Sequence, residues 1–151
     1  MNIGIVGVGV VGGACKFGFE LLGHNVSVHD IALNTTLDDV LDTSVVYICV
    51  PTPRADDGSC DITIVHEVVT GLKDRGYTGA VAIKSTVVPG TTESLREETG
   101  LNVCFVPEFL RERCAITDFT ENHDVCIIGC SDDKTYKLLK DCHGSLPEKF
   151  V

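Results

Sequence analysis

The stretch Gly4–Gly12, "GIVGVGVVG", decides the fold. The apolar run "NIGIVG" before it reads as a short buried strand, and the apolar spacing from Val10 to Leu22 reads as a helix. Between them Gly7, Gly9 and Gly12 stand in G-x-G-x-x-G spacing. The first glycine permits a tight turn, the second lets a pyrophosphate approach the backbone, and the third lets helix and strand pack closely. The helix then offers free N–H groups and a partial positive charge to a phosphate. A second strand, "NVSVHD", ends at Asp30, 18 residues past Gly12. A carboxylate there accepts hydrogen bonds from both ribose hydroxyls and repels the extra phosphate of NADP, so NAD is the expected cofactor. Gly7, Gly9, Val10, Val11, Gly12 and Asp30 are its expected contacts in this part of the chain.

Working outward, the remaining short apolar runs are "VVYICV", "AVAIK", "NVCFV" and "DVCIIG", making six expected strands. Helical segments are expected over Val10–Leu22, Ile62–Arg75, Thr92–Thr99 and Asp132–Asp141, with a weaker one over Leu37–Leu41. In the Ile62–Arg75 segment Ile64, Val65, Val68, Val69 and Leu72 recur at helical spacing, and Asp61 is placed to cap it. Ser131 is the expected cap of the last helix, and Gly100 the stop of the one before. Strands that alternate with helices and are apolar on both faces predict an α/β domain. Right-handed crossovers then give a doubly wound, parallel six-stranded sheet of Rossmann type, in a single domain over residues 1–142. The tail 143–151 is expected to leave that domain.

A net charge of -10 argues against a nucleic-acid backbone or anionic membrane surface as partner. No apolar run reaches the roughly 20 residues that span a bilayer. The eight cysteines contain no C-x-x-C pair and several fall inside apolar runs, so they read as buried, reduced thiols in a cytoplasmic protein, with no metal site expected. Cys15, in the first turns of the cofactor helix, reads as core rather than as a catalytic thiol.

Three further segments carry a resemblance: "VVYICVPTPRADDGSCDITIV" (Val45–Val65), "AIKSTVVPGTTE" (Ala82–Glu93) and "VPEFLRERCAITDF" (Val106–Phe119). Each falls where a strand's C-terminal end meets ligand. Together they resemble the NAD-binding domain of the UDP-glucose/GDP-mannose dehydrogenase family, which oxidises C6 of a nucleotide sugar from alcohol to acid with two NAD molecules. The resemblance implies that Val50, Pro51, Thr52 and Pro53 line the cofactor, and that Ser85 and Thr86 sit near the nicotinamide. It implies Glu108 as the acid/base, Glu112 as the acid beside the nicotinamide, and Phe109, Leu110 and Arg111 as contacts to a UDP-glucose-like substrate. The chain departs from the family in its short connection after the second strand, in Val106 where an asparagine is usual, and in Arg113 where a glycine is usual. The family's central helix, second Rossmann domain and cysteine loop have no counterpart in these 151 residues. The expected role is therefore a cofactor-side half-site completed by a second copy or a full-length homologue, the alternative being an NAD(H)-binding regulator without turnover.

Overall fold

The computed structural model describes residues 1–151. Strands β1 (Asn2–Val6), β2 (Asn25–His29), β3 (Val45–Ile48), β4 (Ala80–Ile83) and β5 (Asn102–Phe105) form one parallel sheet in the order β2-β1-β3-β4-β5. The helices are α1 (Val10–Leu21), α2 (Thr63–Asp74), α3 (Thr91–Thr99), α4 (Ala115–Thr120) and α5 (Asp133–His143). They cover both faces, so the sheet has a core on each side, and the side chains of β3 divide between them. Val45 and Tyr47 pack under α1, α4 and α5 with Ile3, Ile5, Phe19, Phe119 and Leu139. Val46 and Ile48 pack under α2 and α3 with Val65, Val69, Leu72 and Leu95. This doubly wound α/β arrangement is the one the apolar runs predict.

The sheet has five strands, not six. The run expected to be the sixth contributes only β6 (Val125–Cys126), which pairs with β7 (Lys149–Phe150) in a separate two-stranded ladder. Its one link to the main sheet is an antiparallel bridge from Phe105 to Gly129, with both N–H···O bonds at 2.8 Å. The tail that captures β6 was expected to leave the domain, and it packs instead. Leu146 and Phe150 join the α1-side core, and His143 is fully buried.

Local chemistry shifts other expected features by a residue or two. Residues 37–40, expected as a weak helix, form a 3-10 turn whose Thr36 cap donates its N–H to Asp39 Oδ2 at 2.7 Å. Gly4 lets this turn lie flush on β1, because a Cβ there would sit 3.0 Å from Val40 Cβ. Asp61 accepts from Thr63 N–H at 2.9 Å although the helix boundary falls at Ile62. The last helix is capped by Asp132, whose Oδ1 accepts from Thr135 N–H at 2.8 Å, and not by Ser131. Gly100 ends α3 in the left-handed region at φ 71°, as its sequence position predicts. Of the expected apolar face of α2, Val65, Val69 and Leu72 are buried, while Ile64 is exposed. All eight cysteines are unpaired, and burial pushes the Cys104 thiol up to about 12 and those of Cys126 and Cys142 to about 11.

His143 sits in an aromatic cluster with Phe19 at 5.3 Å and Tyr47 at 5.6 Å between ring centroids. Its Nδ1–H donates to Leu139 O at 2.9 Å, and Nε2 has no partner. Burial, aided by the Lys84 charge, pushes its pKa from 6.5 down to about 3. The imidazole is neutral in the fold and charged in the unfolded chain below pH 6.5, so unfolding is favoured as the pH drops from 6.5 toward 3. Urea unfolding followed against pH is expected to show this loss of stability, and His143→Leu is expected to reduce the slope of the curve between neutrality and about pH 5.5, above the range in which carboxylates titrate. A wild-type profile flat between neutrality and that point would contradict the burial of a neutral His143.

Candidate functional site: the C-terminal edge of the sheet

The turn between β1 and α1 is held by sterics. Gly7 has φ 89°, and a Cβ on it would lie 2.7 Å from Cys49 O. A Cβ on Gly12 would lie 1.9 Å from Gly7 O, so no other residue allows α1 to approach the turn so closely. Gly9, in contrast, has nothing within 4 Å of a built Cβ, and neither has Gly13. Open space therefore faces the start of α1. No side chain caps this helix and its first turn carries no acid, which leaves the N–H groups of Val10, Val11 and Gly12 to a ligand. That is a cradle fitted to an anion.

Asp30 closes the other end of the turn. Its Oδ2 accepts from Val8 N–H at 2.7 Å and its Oδ1 from Ala32 N–H at 2.8 Å. These two bonds, the Val8 one foremost, hold its pKa below the ordinary carboxylate range. Each oxygen keeps a lone pair, so the carboxylate is a fixed charge with acceptor capacity to spare.

Beyond β3, Val50 is buried, Thr52 half-buried, and Pro51 and Pro53 exposed. A small hairpin follows, closed by Ala55 N–H to Ser59 O at 2.8 Å and Asp61 N–H to Pro53 O at 2.9 Å. Ser85 is buried and donates its hydroxyl to Val50 O at 2.6 Å, tying the ends of β3 and β4 together. Thr86 next to it is exposed, with a hydroxyl that no protein group engages.

The segment after β5 folds into two clefts. Glu108, Phe109, Leu110 and Arg111 line one of about 320 Å³ together with Lys84 and Asp118. Glu108 Oε2 accepts from Leu110 N–H at 2.7 Å, which curls the backbone and fixes the carboxylate. Glu112 lies in the other cleft, of about 460 Å³, whose walls include Gly9, Val10, Gly13 and Ala115. The structure thus brings Glu112 to the glycine turn and places Glu108 in the neighbouring cleft. Thr86 lines neither. The Arg111 guanidinium is committed to Asp118, with Nε to Oδ2 at 2.9 Å and Nη2 to Oδ1 at 2.7 Å.

Two residues of this site escape the sequence reading. Lys84 is 3% exposed, donates from Nζ to Val106 O at 3.2 Å, and lies 5.8 Å from the Phe119 ring centroid. Its signal was a lysine directly after an apolar run, with no room for solvation. Asp118 is 6% exposed and also accepts the Arg111 N–H at 2.9 Å, so a single carboxylate closes the whole 111–118 loop. Arg111 holds the Asp118 carboxyl well below the usual range.

A glycine turn open toward a helix N-terminus, an acid at the end of the next strand and loops gathered at the C-terminal edge of a parallel sheet define a dinucleotide-binding Rossmann domain. Residues 32–146 match the UDP-glucose/GDP-mannose dehydrogenase family, NAD binding domain, and the chain belongs to that family. The match begins after Asp30, so the glycine turn is assigned by its own geometry. The chain is 30% identical to the UDP-glucose 6-dehydrogenase AglM of Haloferax volcanii, covering 99% of this chain and 45% of the relative. It is 27% identical to the GDP-mannose 6-dehydrogenase of Pseudomonas aeruginosa, covering 100% of this chain and 46% of the relative. Among solved structures, a UDP-glucose dehydrogenase from Pyrobaculum islandicum superposes with a TM-score of 0.86 at 28% identity, covering 99% of this chain and 45% of that one. The chain therefore spans a little under half the length of these relatives. The Haloferax alignment also runs over 198 residues against the 151 of this chain, so that relative carries extra segments within the shared domain.

The Asp118 contacts yield a test. A carboxylate held below its unfolded pKa contributes stability that is complete above about pH 5 and is lost as the pH falls toward the folded value. Asp118→Asn is expected to lower the urea midpoint at neutral pH and to narrow its difference from wild type below pH 3, and to speed proteolysis within residues 107–118. An unchanged midpoint at neutral pH would show that the Arg111–Asp118 pair does not hold this loop.

Proposed function

We propose that this chain is the NAD-holding half of a nucleotide-sugar 6-dehydrogenase of UDP-glucose type. The observation that carries the reading is the division of two carboxylates between adjoining clefts, Glu112 beside the glycine turn and Glu108 beside it but apart. The first-turn N–H groups of Val10, Val11 and Gly12 take the pyrophosphate, and Asp30 takes the ribose hydroxyls. Val50, Pro51, Thr52 and Pro53 form the wall after β3, with Ser85 as the clasp that fixes it. When bound, NAD supplies the hydride acceptor. Glu112 would then border the nicotinamide from the glycine-turn cleft, and Thr86, outside both clefts on the turn after β4, would offer its unengaged hydroxyl to the same ligand.

Oxidation of an alcohol to an aldehyde removes a hydride from C6 and a proton from its hydroxyl. Glu108 receives that proton through water, which its fixed carboxylate can do from a cleft at the strand end. Phe109 and Leu110 face the sugar nucleotide. Arg111 serves it through the loop it holds with Asp118, and through the part of its guanidinium that remains exposed. The onward step to the acid needs a nucleophile. No cysteine lines the Glu108 cleft, so this cleft does not itself supply a thiol for that step.

Two measurements test the reading. Calorimetry is expected to show NAD binding about tenfold or more tighter than NADP, a difference lost in Asp30→Asn, in keeping with a hydrogen bond to a charged group. Equal affinities in the wild type would remove Asp30 from this role. With NAD and UDP-glucose, the expected product of the chain alone is at most one NADH per sugar, abolished by Glu108→Gln. Two NADH per sugar would show that the chain completes both oxidations by itself, and confirmed NAD binding with no NADH would favour a binding module without turnover.

A further inference from the structure

Strand β2 is the outer edge of the sheet, with β1 on one side and no strand on the other, while the 3-10 turn at 37–40 packs against it. In the usual dinucleotide-binding order a further strand lies outside it. Here residues 30–44 turn back under the sheet instead, through the 3-10 turn against Gly4, and no backbone hydrogen bond joins them to Asn25–His29. Asn25 N–H bonds to Met1 O at 3.0 Å and His29 O accepts from Gly7 N–H at 2.8 Å, so Asn25, Ser27 and His29 direct their backbone groups at β1. By the alternation of a strand, the N–H and C=O of Val26 and Val28 point outward, unpaired.

Natural edges are guarded by lysine, proline, inward charges or bulges. "NVSVH" has none of these. Its centre, V-S-V, is also symmetric about Ser27. If two copies meet antiparallel with Ser27 on the two-fold axis, Val26 of each faces Val28 of the other, and both pairs are of the type that exchanges two N–H···O bonds. Four hydrogen bonds form, which is every outward group that β2 has. Val26 and Val28 both lie on the α1 side of the sheet, so the facing pairs are β-branched and apolar. The same register brings the end of one strand, followed by exposed Ile31 (99%) and Leu33 (46%), to the start of the other, preceded by exposed Leu21 (64%).

We propose that β2 is a self-pairing edge, and that its partner is a second copy of this chain, joined through an isologous antiparallel β2–β2 ladder that merges two five-stranded sheets into one. An isologous contact needs a self-complementary patch, and the V-S-V register supplies it. A five-residue ladder is short of a standard interface of roughly 1,200–2,000 Å², so the dimer is expected to be a weak, reversible one. This inference does not depend on the reaction or on substrate.

Analytical ultracentrifugation of the full chain, from low micromolar to submillimolar concentration, tests it. The expected result is a monomer–dimer equilibrium. Ser27→Glu and Ser27→Lys each place like charges opposite one another on the axis and are expected to lose the dimer, whereas an equimolar mixture of the two recovers it as a heterodimer. Hydrogen exchange on the wild type needs no variant: the Val26 and Val28 amides are expected to become protected only as the dimer forms. A monomer at every concentration overturns the proposal. So does a dimer in which those two amides stay unprotected, or one that both charged variants form as well as wild type.

Discussion

The close approach of α1 to the turn after β1 is the constraint on which the rest of the structure depends. At Gly12 even a methyl group would lie 1.9 Å from Gly7 O, so the helix can sit where it does only with glycine there. From that position α1 sends Phe19 into the core, where it meets Tyr47 at 4.9 Å and Phe119 edge-on at 5.5 Å. Gly18, one residue earlier, must also lack a side chain, because a Cβ would lie 2.5 Å from the Phe119 ring. Phe119 belongs to α4, and α4 carries Asp118, which closes the 111–118 loop that bears Glu112 and follows directly on Glu108. One steric fact in a nine-residue stretch thus sets the distance between the phosphate cradle and the two carboxylates. The cofactor turn and the acidic loop are far apart in sequence and are coupled through the packing of α1 on α4, with the Gly18–Phe119 approach at its centre.

That coupling explains what the sequence discloses and what it withholds. The glycine spacing, Asp30 and the apolar runs each act within a few residues, so the strands, the helices and the cofactor turn are legible from local pattern. The five-strand count is not, because it depends on which partner wins "DVCIIG". The run is apolar enough for the main sheet, yet the Lys149–Phe150 segment pairs with it, and local pattern cannot weigh one long-range pairing against another. The tail shows the same limit. Gly144 and Pro147 look like exit signals, while the stabilising contacts come from His143, Leu146 and Phe150, which reach elements over a hundred residues away in sequence. Asp118 shows no local signal for a related reason, and Lys84 only its place after an apolar run: their roles are defined by a guanidinium and a carbonyl brought near by the fold.

Lys84 shows how charge is managed in a chain with a strong acidic excess. A buried ammonium is costly unless it is hydrogen-bonded or faces compensating charge. Here it gives one bond to Val106 O, rests against the Phe119 face, and opens on a cleft that also holds Glu108, Asp118 and Asp124. The same lysine reaches into the α1-side core, where its charge helps keep His143 and His123 neutral. Since Val106 begins the "VPEFLRE" segment, the bond from Lys84 fixes the point at which the loop leaves the sheet, and the Arg111–Asp118 pair fixes its return. The loop between is short and tied at both ends, and its Glu108 carboxylate is held by the Leu110 N–H before any ligand arrives.

On the proposed function, this preorganisation is incomplete by design of the surface and not of the loop. Phe109 is 65% exposed, Glu112 is exposed, and the Thr86 hydroxyl faces solvent unengaged. Hydride transfer works best where water is excluded and charges are strengthened by a low dielectric. The geometry here provides donors, acceptors and a fixed acid, but one wall only. An aromatic ring as exposed as Phe109, next to a carboxylate pinned by its own backbone, is matched to a surface that closes over it. The relatives, of which this chain spans under half, have more than enough residues for such a surface. Binding of NAD therefore asks little beyond what this fold presents, whereas turnover asks for a second wall, and the two functions separate along the boundary between the cradle at Gly9 and the open cleft at Glu108.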